Sequence, residues 1–338
     1  MDIKILGRKE LEQVLEMSKV IKGVKAVYQL KSKGDTAVWP LIEHHFVEKE
    51  AVMDIRSGGV FGDINLHGLK MLNKFPQNSA KGLPVFTGML MVCDSDTGLP
   101  LGIMDASYIT CMRTGAAGAI GAQALARPDS EVLCVLGAGA QAIFQIAAAL
   151  ICFPGLKEIL IADPVKPENA RSFAGGCRSR LAASFGIDCP QVSFAPAEDL
   201  AQAVGRSDIV ITITPAREPV IRKEWVKPGT HFSCVGADMA GKEEIDPRLF
   251  AGARIYADDI DQCLRVGEME LPFKNGVITR DDIAGEIGQL LSGAVSGRQS
   301  EEEITIFDAT GLALLDLVTA KSAIDLAAEK ELGITVEI

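Results

Sequence analysis

From residue 131 onward, short apolar runs rich in β-branched residues alternate with longer stretches whose apolar positions recur at helical spacing. Runs at 132–136, 158–162, 191–194, 208–214, 231–235 and 254–257 read as strands, with helices after 142, over 167–185 and over 199–204. Regular strand–helix alternation predicts parallel strands, here six, in a Rossmann-type doubly wound sheet. The first part of the chain follows another rhythm. A short strand at 2–6 precedes a helix over 8–31, in which Leu11, Val14, Leu15, Met17, Val20 and Ile21 recur at near-helical spacing. Strands at 36–42, 51–56, 69–72, 86–94 and 101–105 are separated by turns and by the glycine-rich SGGVFGD, read as a loop. That pattern predicts a mixed α+β domain with hairpins.

Residues 106–127 change texture to an alanine- and glycine-rich helix suited to close packing, ended by Arg127, Pro128 and Asp129. The last region predicts a helix at 282–291, a strand at 304–307 and a long helix over 312–331 that needs a packing partner. Two domains follow, 1–127 together with 311–338, and 128–310.

Composition narrows the function. A net charge of −11 over 338 residues disfavours nonspecific nucleic-acid binding and attraction to anionic membranes, so an anionic substrate requires a local basic pocket. The eight cysteines are scattered, several within apolar runs, as suits buried thiols in a reducing compartment. With four histidines lacking metal-ligand spacing, no metal is expected. No apolar run reaches membrane-spanning length and the N-terminus does not read as a leader, so a cytoplasmic protein is expected.

Four places carry candidate chemistry. The strand 132–136 runs into Gly137, Gly139 and Ala142, a GxGxxA turn opening a helix, which is an anion cradle for a dinucleotide pyrophosphate. Asp163 ends the next strand, where its carboxylate is placed to accept from both hydroxyls of an adenosine ribose. Arg113 is the only charge in the alanine–glycine helix before Arg127, so it has either a structural carboxylate partner or an anionic ligand. Lys70, flanked by apolar residues, is either an edge-strand charge or a desolvated pocket cation suited to holding a carboxylate or to catalysis by proton transfer. Near later strand ends, Thr212 and Thr214 are either cofactor contacts or strand residues, and Asp238 is either a turn residue or an acid–base group.

Five ordered blocks, HGLKMLNKFPQN, GLPVFTGMLMVCDSDTGLPLGIMDASYITCMRTGAAGA, LGAGAQA, VGADMAGKEEID and GEIGQLLSGAVSGRQSEEEITIFDATGLALLDL, resemble the ornithine cyclodeaminase and mu-crystallin family. The resemblance implies a substrate-binding and dimerisation domain in 1–127 with 311–338, an NAD-binding domain in 128–310, and a homodimer. It implies that Lys70 and Arg113 hold a substrate carboxylate and that Asp238 transfers a proton. Cofactor contacts are implied at Arg113, Thr114, Gly137, Gly139, Ala140, Gln141, Asp163, Thr212, Val235, Gly236, Ala237, Lys242 and Ala309. The shared chemistry is hydride transfer between an amino-acid α-carbon and a nicotinamide, followed by cyclisation with ammonia loss, imine hydrolysis, or imine reduction.

Two departures bear on substrate. Where cyclodeaminases carry an arginine after an early proline, Pro40 is followed by Leu41 and Ile42, and Val85 replaces a threonine. Arg56 is the candidate replacement cation, or else a surface residue, and Asp54 lies near the acid that would receive a distal amine. Asp163 favours NAD, while Lys166 and Arg171 leave NADP open. The expected function is an NAD(H)-dependent amino-acid dehydrogenase or imine reductase acting on a small amino or imino acid. An ammonia-releasing cyclodeaminase is the alternative, and a nucleotide-dependent binding protein without turnover is a third reading.

Overall fold

The computed structural model describes residues 2–337. In chain order the first elements are β1 (Asp2–Leu6), α1 (Arg8–Val14), α2 (Met17–Lys33), β2 (Thr36–Val38), β3 (Ile42–Phe46), β4 (Ala51–Val60), β5 (Leu66–Lys74), β6 (Phe86–Asp94), β7 (Pro100–Asp105) and α3 (Ala106–Leu125). Next come β8 (Val132–Leu136), α4 (Ala142–Cys152), β9 (Glu158–Ala162), α5 (Pro167–Phe185), β10 (Ser193–Pro196), α6 (Leu200–Arg206), β11 (Ile209–Thr212), β12 (Arg217–Ile221), β13 (His231–Cys234) and β14 (Glu243–Ile245). The chain ends with β15 (Arg254–Ala257), α7 (Ile260–Val266), α8 (Glu270–Lys274), β16 (Ile283–Glu286), α9 (Ile287–Leu291), β17 (Thr305–Asp308), α10 (Ala313–Glu329) and β18 (Ile334–Glu337).

Two compact units result. The first runs to Arg113 and takes the chain up again at Leu312; the second is Thr114–Gly311. In the first, the sheet order is β18-β1-β7-β6-β5-β4-β2, with β3 beside β4. Only β1 and β7 pair in parallel. Helix α10 lies on one face of this sheet, close enough that a Cβ on Gly68 would stand 2.7 Å from the Leu317 side chain. The first two glycines of SGGVFGD belong to β4: Ser57, Gly58 and Gly59 pair with Leu69, Gly68 and His67, so the first part of the expected loop, to Val60, is strand. Gly58 makes room for a neighbour, since a Cβ there would meet Leu314 of α10 at 3.1 Å.

The second unit holds an all-parallel sheet in the order β10-β9-β8-β11-β13-β17-β15-β16. Alternate residues of its strands enter opposite cores. Leu133, Val135, Ile159 and Ile161 pack on one side, and Cys134, Leu136, Leu160 and Ala162 on the other. Burial on both faces explains why these runs read as continuous apolar segments. Chain order reverses between β8 and β11, which places the glycine turn at the switch point where such sheets bind ligands.

Four expectations need correction. The sheet has eight strands where six were expected, because β17 inserts between β13 and β15 and β16 adds an edge. The helix expected at 282–291 is β16 followed by α9; Ile283 and Ile287 mimic a helical repeat, but Ile283 pairs with Ile255. The helix expected at 8–31 breaks at Leu15 and Glu16, both extended. Burial of Val14, Leu15 and Met17 together exceeds what one helical stripe accommodates. The strand expected at 36–42 divides around Pro40, which cannot donate to a ladder.

The unit division also falls elsewhere than 127/128. It cuts α3 after Arg113, because the later part of this helix packs into the second unit. A Cβ on Gly115 would be 2.5 Å from the Phe144 carbonyl, and one on Gly121 would be 2.0 Å from the Phe307 ring.

Candidate active site

In the first unit Lys70 stands in β5 with Arg56 opposite it on β4 and Leu90 opposite it on β6. Strand alternation turns Lys70 to the face covered by α10, and its side chain is wholly buried. There Nζ donates to Asp316 Oδ2 at 2.7 Å and to Thr110 Oγ1 at 3.2 Å. Arg113 Nε donates to the other oxygen, Oδ1, at 3.1 Å. Two cations thus share one buried carboxylate, and a positive charge is left over. Arg56 brings a third cation from the next strand, paired with Asp54 at 3.8 Å from its Nε to Oδ1, so the surplus stays at one charge. Burial pulls the Lys70 ammonium down to about 8, with Arg113 and Arg56 pushing the same way and Asp316 opposing them. Burial raises Asp316, but Arg113 and Lys70 outweigh it and hold the carboxyl below its usual range.

Of the two sequence alternatives for Arg113, the structure contains the structural carboxylate partner, Asp316, with a second cation on the same carboxylate. Asp316 escaped the sequence reading. Its signal was a lone acid in the apolar run LALLDLV, the same kind of signal that singled out Arg113.

In the second unit the glycine turn follows β8. Gly137 adopts φ +120°, and a Cβ there would press to 3.0 Å from the Ile213 carbonyl. Ahead of Gly139 the space is open. Gln141 caps α4 with its side-chain oxygen buried and without a partner. A cleft of about 610 Å³ adjoins the turn, lined by Ala138, Gly139, Ala140, Asn169, Ser172 and Arg180. Asp163, at the end of β9, accepts from the Lys166 amide at 2.9 Å and from Asn169 Nδ2 at 3.1 Å. Arg171 is engaged by Glu198 through two hydrogen bonds. These features fit a dinucleotide: a tight turn, room for its phosphates, an unsatisfied acceptor and a ribose-side carboxylate.

The remaining expected contacts fall at two edges of the same unit. Thr114 is buried in α3, where its carbonyl accepts from Gln145 Nε2 at 3.0 Å. Thr212, Val235 and Ala309 mark the ends of β11, β13 and β17, and they are bound in series: Val235 N donates to Thr212 O and Ala309 N to Cys234 O, each at 2.9 Å. Gly236 and Ala237 follow, with the Ala237 side chain enclosed. Lys242 Nζ donates to Asp238 Oδ1 at 2.5 Å and to the Gly236 carbonyl at 3.0 Å. This closes the Asp238 loop on itself and orients the acid, whose side chain is 45% exposed against 12% for Lys242.

The chain matches the model of the ornithine cyclodeaminase/mu-crystallin family over residues 1–331. It is 37% identical over 333 residues to the alanine dehydrogenase of Archaeoglobus fulgidus, with 98% of each chain covered. An archaeal alanine dehydrogenase dimer with bound NAD shares its fold with a TM-score of 0.91, at 34% identity over the whole of both chains. Thermococcus litoralis Delta(1)-pyrroline-2-carboxylate reductase, in complex with NADH and L-proline, gives a TM-score of 0.90 at 30% identity, covering 99% of this chain and 100% of that one. Motif order, fold and whole-length similarity agree, and the chain belongs to the ornithine cyclodeaminase/mu-crystallin family.

Proposed function

We propose that this chain is an NAD(H)-dependent oxidoreductase that transfers hydride at the α-carbon of a small amino or imino acid. The observation that carries the reading is the Lys70–Asp316–Arg113 cluster, a surplus of buried positive charge in a chain of net charge −11. A desolvated guanidinium and ammonium together recognise a carboxylate with direction as well as charge. Similarity to an alanine dehydrogenase and to a pyrroline-2-carboxylate reductase supports the same reaction class.

Lys70 and Arg113 fix the substrate carboxylate, with Arg56 as the third cation in place of the residue missing after Pro40. Fixing one end of a small molecule limits which carbon is presented and contributes chiefly through orientation. Gly137, Gly139, Ala140 and Gln141 hold the pyrophosphate, and Asp163 holds the adenosine ribose. NAD, when bound, supplies the hydride acceptor or donor. Asp238, oriented by Lys242, relays a proton to or from the substrate nitrogen or water.

Asp238→Ala is expected to lower kcat by about 10²- to 10⁴-fold while NAD affinity is retained. Assays should follow NADH with an amino acid plus NAD, and with a keto acid plus amine. Ammonia and proline formed from ornithine without net NADH change would replace this reading with the lyase.

We also infer a homodimer through the uncovered face of the first sheet. Ile42, Ile55, Met71 and Met89 stand in one row across β3, β4, β5 and β6, on the face opposite Lys70. Ile42 and Met89 are 57% and 56% exposed, an apolar stripe a second copy would cover. Sedimentation at the mass of a single 36.0 kDa chain would refute this.

A further inference from the structure

The loop that carries Asp238 is held from within the second unit by carboxylates. Glu244 is fully buried, and no ion pair engages it among the described residues. Both of its oxygens accept from backbone: Oε1 from the Thr214 amide at 2.6 Å and Oε2 from the Gly236 amide at 3.1 Å. Thr214 and Gly236 each lie two residues beyond β11 and β13, which are neighbours in the sheet. One side chain therefore ties together two adjacent loops at the carboxyl edge of the sheet, where a doubly wound fold binds its ligand.

The surroundings are built around this tie. A Cβ on Gly236 would lie 2.4 Å from Glu244 Oε2, so only glycine allows the approach. The amides of Glu244 and Ile245 both donate to Glu268 Oε1 at 2.7 Å, which fixes the backbone from which Glu244 reaches out. At the far end of the Asp238 loop, the Gly241 amide donates to Glu270 Oε2 at 2.8 Å. Among the described residues no three acidic, cysteine or histidine side chains are grouped so that they could hold a metal ion.

We propose that Glu244 is the positioning residue that sets the Asp238 loop against the Thr214 loop, and through them the place from which Asp238 acts. The inference rests on the proton-transfer role given to Asp238 above. Two converging N–H donors require a group with two acceptor oxygens and no donor. A carboxylate meets that requirement; an amide of the same size turns an NH₂ toward one of the two amides. The chemistry thus orders the variants differently from their size. Glu244→Gln conserves volume and breaks the tie, whereas Glu244→Asp shortens the arm but keeps both acceptors.

In purified enzyme, Glu244→Gln is expected to lose about 100-fold in kcat, with KM and NADH affinity retained, because a loop displaced by about 1 Å misplaces the proton relay. Glu244→Asp is expected to keep more activity than Glu244→Gln. Amide hydrogen exchange in the wild type should show Thr214 and Gly236 strongly protected, and Glu244→Asp should retain part of that protection. Unchanged kcat in folded Glu244→Gln, more activity in Gln than in Asp, or unprotected Thr214 and Gly236 amides in the wild type would each overturn the proposal. If the Gln variant does not fold, the Asp variant and wild-type exchange decide the matter. A wild-type chain that turns over no amino or imino acid would overturn the proposed function instead, leaving amide protection to decide the tie.

Discussion

Lys70 and Arg113 in the first unit face a carboxylate, whereas Glu268 and Asp308 in the second lie within each other's field with no ion pair to a cation among the described residues. The first arrangement keeps buried charge; the second removes it. Burial pushes Asp308 up to about 8 and lifts Glu268 well above the usual carboxyl range, whereas Glu244, held by two backbone amides, rises only to about 6 and keeps its charge at neutral pH. Asp308 and Glu268 accept from backbone amides, so these two acids act by shape and hydrogen bonding more than by charge. The second unit is therefore less negative than its sequence suggests, while the first holds a true cationic pocket. A protein that must admit both a dinucleotide and a carboxylate gains from both solutions.

Removing the shared carboxylate should break this contrast most severely. Asp316→Asn leaves two buried cations without their counter-charge and is expected to cost about 3–5 kcal/mol in denaturant unfolding. A variant as stable as the wild type would show that Lys70 and Arg113 are neutralised in some other way.

Next in size is a pH effect with opposite signs for binding and stability. The folded Lys70 value of about 8 lies below the ordinary 10.5, so between those values the unfolded chain holds more protons. The cost of burying the ammonium is fully present below about 8 and is relieved as pH rises toward 10.5, so this group makes stability increase across that window. Substrate KM should rise over the same range as the clamp loses its charge. Lys70→Met should flatten both profiles; a KM profile unaltered by that change would remove Lys70 from substrate binding.

The smallest effect sharpens the other side of the comparison. Glu268→Gln keeps the oxygen that accepts from Glu244 and Ile245 and replaces a carboxyl whose charged form burial disfavours, so the stability change is expected to be about 1 kcal/mol or less. A loss as large as that of Asp316→Asn would mean that Glu268 is ionised.

The second unit was the more legible in the sequence. Its strands are buried on both faces, so their apolar runs end where the strands end, and the glycine turn follows directly. What was hidden there is non-local: β17 enters between earlier strands, and Ile283 and Ile287 carry a helical repeat through a strand. In the first unit Lys70 and Arg113 stood out as charges in apolar settings, but the glycines at 58 and 59 suggested a loop because the helix that Gly58 admits lies far along the chain. The same distance concealed Asp316. Glu244 gave no signal, since its role depends on where Thr214 and Gly236 come together.

The separation between Lys70 and its counter-charge, 246 positions, has a consequence for synthesis. A ribosome delivers β5 and the Arg113 helix long before α10 exists, so both cations remain in water until α10 emerges. The second unit, contained between Thr114 and Gly311, is complete at that moment. The first unit is thus begun first and finished last, and a chain released before Leu312 lacks the strip that shields its sheet and neutralises its clamp. Termination between Gly311 and Leu312 would yield an assembled nucleotide cradle attached to an unfinished, adhesive sheet, a substrate for chaperones and proteases rather than a weakened enzyme.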